Sequence, residues 1–237
     1  MNIIGIIPAR GGSTGIKLKN IKKINGKPLI EYTIKSALES KKIDRLIVST
    51  DNEKIAKISK NLGAEVPFIR PKKFSQNTSS IKDVILHLQT HLVKTENYFP
   101  DIGIILQPTS PFRDVLDIDN SIKILAKKNT TSVISVAKVK NHPNNLFKNN
   151  NSQLFPLNKN FENFSIRQKL NPLFYPTGLI YTFYFNNLKK FDSIYGPKIK
   201  PLLINNKLKN IDIDESYELF LTQMIMQNWS KYKNFFH

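Results

Sequence analysis

The first 140 or so residues alternate between two hydrophobic periods. Residues 2–8 form a short apolar run ending in Pro8, the pattern of a strand buried on both faces. Residues 28–40 carry Leu29, Ile30, Ile34, Ala37 and Leu38 at helical spacing, with Pro28 where a first turn tolerates proline. The alternation continues with a strand at 45–50, a helix at 52–62 stopped by Gly63, and a short strand at 65–70. A helix at 79–93 places Ile81, Val84, Ile85, Leu88 and Leu92 on one face. A strand at 102–107, a helix at 116–127 and a strand at 131–139 complete the run. Strands separated by helices of this length predict βαβ units, and so an α/β protein with a mostly parallel sheet in a Rossmann-like, three-layer arrangement.

The pattern then changes. Residues 141–176 are rich in asparagine, proline and aromatics and predict an insertion with a hairpin. Residues 177–185 read as a strand, 200–205 and 209–213 as short strands, and 214–233 as a closing helix with Leu219, Phe220 and Met224 facing inward. A single domain over 1–237, with 141–176 inserted, accounts for the chain.

Composition narrows the classes. A chain of 237 residues, 40% hydrophobic, can build a core without cross-links. It has no cysteine, which excludes a disulfide framework, a thiolate zinc site and a cysteine nucleophile, and fits a reducing compartment. The N-terminus has no basic leader before its apolar run, and no apolar stretch approaches the ~20 residues of a membrane helix, so a cytoplasmic protein with no membrane partner is expected. The net charge of +18 admits a nucleic-acid binder or a site for a polyanionic small molecule. The lysines are scattered, with no uninterrupted run longer than two, which favours the small molecule over nucleic acid.

Four polar constellations follow strands of the expected sheet, whose carboxyl ends are where such folds bind ligands. After the first strand, Arg10-Gly11-Gly12-Ser13-Thr14-Gly15 has three glycines in five residues, and Arg10, Lys17 and Lys19 add positive charge. Backbone N–H groups in such a loop approach a phosphate closely. The spacing is neither a Walker loop nor GxGxxG. Asp212 and Asp214, two apart on an expected strand, would point the same way and make an oxygen site for Mg2+; the alternative is strand-end solvation plus an N-cap. Gln107, in the run LQPTSP, can read a base or sugar edge from a proline-fixed turn. Arg167, followed by Gln168 and Tyr175, suits a carboxylate. His87 and His91 lie i,i+4 without the HExxH pattern and read as surface or packing residues.

Taken together, these motifs resemble the acylneuraminate cytidylyltransferases. The family order runs through nearly the whole chain: IPARGGSTGIKLKN at 7–20, VSTD at 48–51, IRP at 69–71, TSS at 78–80, LQPTSPFR at 106–113, RQ and GLIY between 167 and 181, and IDID at 211–214. The resemblance implies a nucleotidyltransferase fold and a reaction of CTP with an acidic 2-keto sugar, giving a CMP-sugar and pyrophosphate. Arg10, Gly11, Gly12, Ser13, Lys19 and Asn20 are then expected on the CTP phosphates and ribose, with Arg70 and Ser79 on the cytosine side. Gln107, Arg167 and Tyr175 are expected beside the sugar, and Asp212 and Asp214 on Mg2+; Arg10, Lys19 and Asp214 carry the catalytic role. The 141–176 insertion is expected to mediate a homodimer.

Two departures stand out. Thr14 occupies a position where the family has lysine, removing a charge from the loop. Thr177-Gly178 stands where the family often has Asn-Gly, which leaves the sugar open among sialic, legionaminic, pseudaminic and 3-deoxy-octulosonic acids. Two further alternatives are a sugar nucleotidyltransferase using UTP or GTP, and a basic nucleic-acid-binding protein that kept the fold without the activity.

Overall fold

The computed structural model describes residues 1–12, 15–157 and 171–232. The elements run β1 (Ile3–Pro8), β2 (Lys23–Ile24), β3 (Lys27–Pro28), α1 (Leu29–Leu38), β4 (Arg45–Ser49), α2 (Glu53–Asn61), α3 (Ile81–Glu96), β5 (Ile102–Ile105), α4 (Val115–Leu125), β6 (Ser132–Lys138), β7 (Phe147–Asn150), β8 (Gln153–Pro156), β9 (Phe174–Tyr184), α5 (Asn186–Phe191), β10 (Ile199–Leu203), α6 (Ser216–Gln227) and α7 (Trp229–Tyr232).

Six strands make one sheet in the order β10-β6-β9-β5-β1-β4. β1 pairs parallel with β4 and β5, and β10 pairs parallel with β6. β9 alone runs antiparallel, joining β5 to β6. Alternate side chains of one strand go to opposite faces. Thus Ile7 of β1 packs with Ile30 and Ile34 of α1, Ile55 of α2 and Ile118 of α4, while Ile4 and Ile6 pack with Ile85, Leu88 and Leu92 of α3. The three-layer α/β expectation therefore holds: α1, α2 and α4 cover one face of the sheet and α3 the other, and β1 and β5 are apolar on both faces.

Helix starts follow local chemistry. Asn52 caps α2 by accepting from the Lys54 and Ile55 amides, and Ser80 caps α3 through the Asp83 amide. Asp114 and Asp117 form a reciprocal capping box on α4.

Several sequence expectations need correction. The expected strand at 65–70 reduces to two isolated bridges, Ile47 to Glu65 and Thr50 to Ile69. The expected strand at 209–213 is a 3-10 turn, Lys207–Asn210, followed by an extended loop. The closing helix breaks at Asn228, between α6 and α7. Leu219 packs against a small cluster of Ile16, Ile24, Leu29 and Ile213, but Phe220 is 64% exposed and Met224 is also exposed, so neither faces inward. Within the inserted region, β7 and β8 form an antiparallel hairpin.

Candidate active site

The carboxyl ends of β1 and β5 open onto a cavity of about 630 Å³. It is lined by Pro8, Arg10, Gly15, Lys19 and Asn20 from the first loop, Arg70, Phe74, Gln76, Asn77 and Ser79 from the segment ahead of α3, Gln107 and Thr109 after β5, and Asp214 with Glu215 ahead of α6. Motifs separated by up to about two hundred residues thus meet at one crevice, where parallel sheets of this type place their ligands.

The first loop is held from below. The buried Asn20 side chain donates to the Arg10 carbonyl at 2.9 Å, and the Gly11 amide donates to Asp51 Oδ1 at 2.8 Å. Gly11 is therefore supporting backbone, and neither Gly11 nor Gly12 is part of the cavity lining. Gly15 approaches the acidic loop so closely that a Cβ there would sit 2.5 Å from the Asp214 carbonyl oxygen. Ser13 and Thr14 lie outside the described residues.

Three cations gather around this space. Arg10 donates to Asn77 Oδ1 at 2.6 Å. Lys19 Nζ sits 2.8 Å from Asp214 Oδ1, its own side chain nearly buried while that of Asp214 is 73% exposed. Arg70 is buried and donates to Ser75 Oγ at 3.1 Å; burial pushes its pKa down, with Asp51 opposing that and Arg10 adding to it. Ser79 Oγ accepts from the Gln76 amide and donates to the Lys73 carbonyl, so it stitches the wall ahead of α3.

The two aspartates are not on a strand. They flank Ile213, whose side chain is fully buried and whose amide donates to the Thr109 carbonyl at 2.9 Å. Asp212 is partly buried, and among the described residues its Oδ1 has no hydrogen-bond partner. Burial raises its pKa; the Thr109 hydroxyl lowers it, nearby Asp214 raises it further and Lys19 pulls it back. The α6 cap is formed by Glu215 with Glu218, whose carboxylate accepts from the Glu215 amide at 2.9 Å. Asp214 is thus not the N-cap. Among the described residues no group of three or more His, Asp or Glu side chains converges as a metal cage. A pair of carboxylates, one with an unpartnered inner oxygen, fits a hard divalent cation that takes its remaining ligands from phosphates and water.

Other expected residues fall elsewhere. Tyr175 is exposed on β9, opposite Ala137, and does not line the cavity. Arg167 and Gln168 lie outside the described residues. The Thr177 hydroxyl is buried and donates to Ser135 Oγ at 2.9 Å, so this residue braces the sheet and does not border the cavity. His87 and His91 pack their rings on Phe68, as expected of packing residues.

Sequence reasoning missed several contributors. Asn77 and Gln76 flank the TSS motif, but polar residues in a loop gave no signal of their own. Arg113 closes the LQPTSPFR string yet is almost fully buried. Desolvation pushes its pKa down to about 9, against the pull of Asp117 and Asp212. Lys209, just ahead of the acidic loop, holds Asp114 at 2.6 Å and Asp117 at 2.8 Å.

Comparison with known proteins agrees with this geometry. The family model for cytidylyltransferases matches residues 4–195. The CMP-N,N'-diacetyllegionaminic acid synthase of Legionella pneumophila is 32% identical over 227 residues, covering 96% of this chain and 97% of that one. An N-acylneuraminate cytidylyltransferase of Escherichia coli is 28% identical over 98% of this chain and 54% of its own length. The solved structure of CMP:2-keto-3-deoxy-manno-octonic acid synthetase complexed with CTP superposes with a TM-score of 0.70 at 14% identity, covering 97% of this chain and all of that one, and so shares its fold. With a family match over most of its length and a full-length relative above 30% identity, the chain belongs to the cytidylyltransferases, a family of nucleotidyltransferase enzymes.

Proposed function

We propose that the protein transfers CMP from CTP to the anomeric hydroxyl of a nonulosonic acid, with N,N'-diacetyllegionaminic acid the first acid to try. The observation that carries this reading is the convergence of Arg10, Lys19 and Arg70 with Asp214 in one crevice. It is supported by end-to-end likeness to a CMP-N,N'-diacetyllegionaminic acid synthase.

In this reading the sugar oxygen attacks the α-phosphorus, the new O–P bond forms as the bond to the β-phosphate bridge breaks, and pyrophosphate leaves. The protein has little covalent work to do; it aligns the partners and balances charge. Arg10 and Lys19 face the triphosphate. Arg70, buried and held by Ser75, is a fixed donor at the nucleoside end beside Ser79. Lys19 starts paired with Asp214 and turns to phosphate when the nucleotide arrives. The Gln107 side chain orients the acid. Asp212 and Asp214 would hold Mg2+, which when bound supplies neutralisation of phosphate charge. A CTP-consuming reaction of this kind belongs in the cytoplasm. The exposed apolar side chains Leu154, Phe155 and Leu157 of the inserted hairpin, with Phe174 of β9, support a homodimer through that region.

The test is pyrophosphate release from CTP, measured with Mg2+ and a panel of diacetyllegionaminic, sialic, pseudaminic and 3-deoxy-octulosonic acids, against UTP and GTP controls. Release with CTP and one nonulosonic acid is expected. Silence across the panel, or equal rates with all three nucleotides, would refute the proposal.

A further inference from the structure

Arg113 is a charged side chain placed where charge is costly. It is 4% exposed, and among the described residues it makes no salt bridge; its donors go to neutral acceptors. Nε and Nη2 both reach the Leu179 carbonyl, at 2.9 and 2.6 Å. Nη2 also reaches the Gln107 carbonyl at 2.8 Å, and Nη1 reaches Thr33 Oγ1 at 3.0 Å. One planar guanidinium thus joins α1, the turn after β5 and the middle of β9. A lysine could not span all three, because the rigid fork of donors is what arginine supplies. A buried guanidinium without a carboxylate partner persists only when something else requires it.

The segment it grips is the one that touches the site. Gly178 adopts φ +75°, and a Cβ there would lie 3.0 Å from Gln107 Oε1 and 3.2 Å from Asp212 Oδ2. The bare backbone of Gly178 therefore carries the Gln107 carboxamide and the inner carboxylate against it. From the opposite side, Ser135 Oγ takes the Ile180 amide at 2.9 Å and the Thr177 hydroxyl at 2.9 Å, at the point where the β6–β9 register shifts between Ile134 and Val136. Residues 177–180 are thus pinned from both flanks, by Ser135 and by Arg113.

We propose that Arg113 is a positioning residue for the acid half of the site: it locks the Gln107 turn to β9 and so fixes where the Gln107 carboxamide and Asp212 stand over Gly178. The inference rests on the proposed reaction for its kinetic consequence but not for its structural one. Arg10 and Ser79, on the nucleotide side, are not attached to this lock, so its loss should separate the two substrates.

Hydrogen exchange tests the lock without any substrate. In Arg113→Met, faster exchange confined to residues 107–113 and 177–182 is expected, with β1 and β4 unchanged; uniform change or no change at these segments overturns the proposal. Kinetics test the consequence. Arg113→Met and Arg113→Lys should keep the KM for CTP within about twofold while kcat/KM for the acid falls on the order of a hundredfold. Equal losses for both substrates would mean a merely structural role and overturn it. Thr33→Val removes one of the Arg113 contacts together with the long hydrogen bond from the Thr33 hydroxyl to the Gln107 carbonyl, 3.4 Å, and should give a smaller loss of the same kind; it carries the test if Arg113→Met does not fold. Wild type inert with every acid would refute the proposed reaction, and the exchange result would still decide the lock.

Discussion

At the residue scale, the site turns on who partners each carboxylate. Asp214 could have been an ordinary N-cap, but Glu215 and Glu218 take that role, and Asp214 faces Lys19 from an exposed position. An exposed side chain with one cationic partner contributes little to stability. Asp214→Asn should therefore shift Tm by no more than about 2 °C while lowering kcat on the order of a hundredfold, because it acts on charge that develops only during transfer. Thermal melts alongside initial rates check this, and near-wild-type turnover would remove Asp214 from the reaction. Residues were unevenly legible in the sequence. Arg10, Lys19 and Asp214 stood out because glycines or paired acids marked them. Arg113 did not, since an arginine after Ser-Pro-Phe looks like a surface turn and only tertiary packing buries it. Thr177 misled in the other direction: its place beside Gly178 suggested a sugar contact, whereas its hydroxyl braces Ser135.

At the scale of elements, the strands and helices of the first half were readable because their periods are set by burial. A strand covered on both faces is apolar throughout, and a helix covering it is apolar on one side. The segment at 209–213 failed for the same reason. Its alternating Ile-Asp-Ile-Asp mimics strand period, but it is docked by other means: Ile213 is buried and its amide donates a hydrogen bond to the Thr109 carbonyl, and Lys209 clamps Asp114 and Asp117 at the start of α4. Removing this clamp should be costly, because two acids would be left together without their cation. Lys209→Met is expected to destabilise by about 2 kcal/mol at pH 7 by denaturant titration. Lys209 has its pKa raised, with burial opposing and Asp114 and Asp117 outweighing it. A raised folded pKa means the stabilisation is complete below the ordinary lysine value and is lost only as pH climbs through the raised one. The difference between wild type and variant should therefore stay flat from neutral pH to the ordinary lysine range and shrink above it. A difference that shrinks near pH 8 would contradict the clamp.

At the scale of the molecule, the helix that fell short of expectation is informative. Phe220 and Met224 of α6 were expected to face inward, and they are exposed in a single chain together with Tyr217, as are Leu154, Phe155 and Leu157 of the hairpin region. Apolar period in sequence reports that a face is covered without saying by what. Under the homodimer proposal, light scattering of the wild type should give twice the 27.3 kDa chain mass. The double variant Leu154→Glu, Phe155→Glu should weaken association on the order of a hundredfold, leaving a monomer at micromolar concentration. A wild type that runs as a monomer would sink the dimer while leaving the transfer reaction untouched.

The place of β9 has a consequence for how the chain is made. It is the strand that joins β5 to β6, yet it follows both in sequence. While the polypeptide emerges from the ribosome, β4, β1 and β5 can pair as soon as they are exposed, but β6 has no neighbour of its own sheet until residue 184 is clear of the exit tunnel. Until then the edges of β5 and β6 that will meet β9 both stay open on one nascent chain, each able to capture a foreign strand. Biogenesis thus hinges on a late insertion into the middle of the sheet, and the same event brings Gly178 beneath Gln107, so the crevice and the finished sheet come into being together.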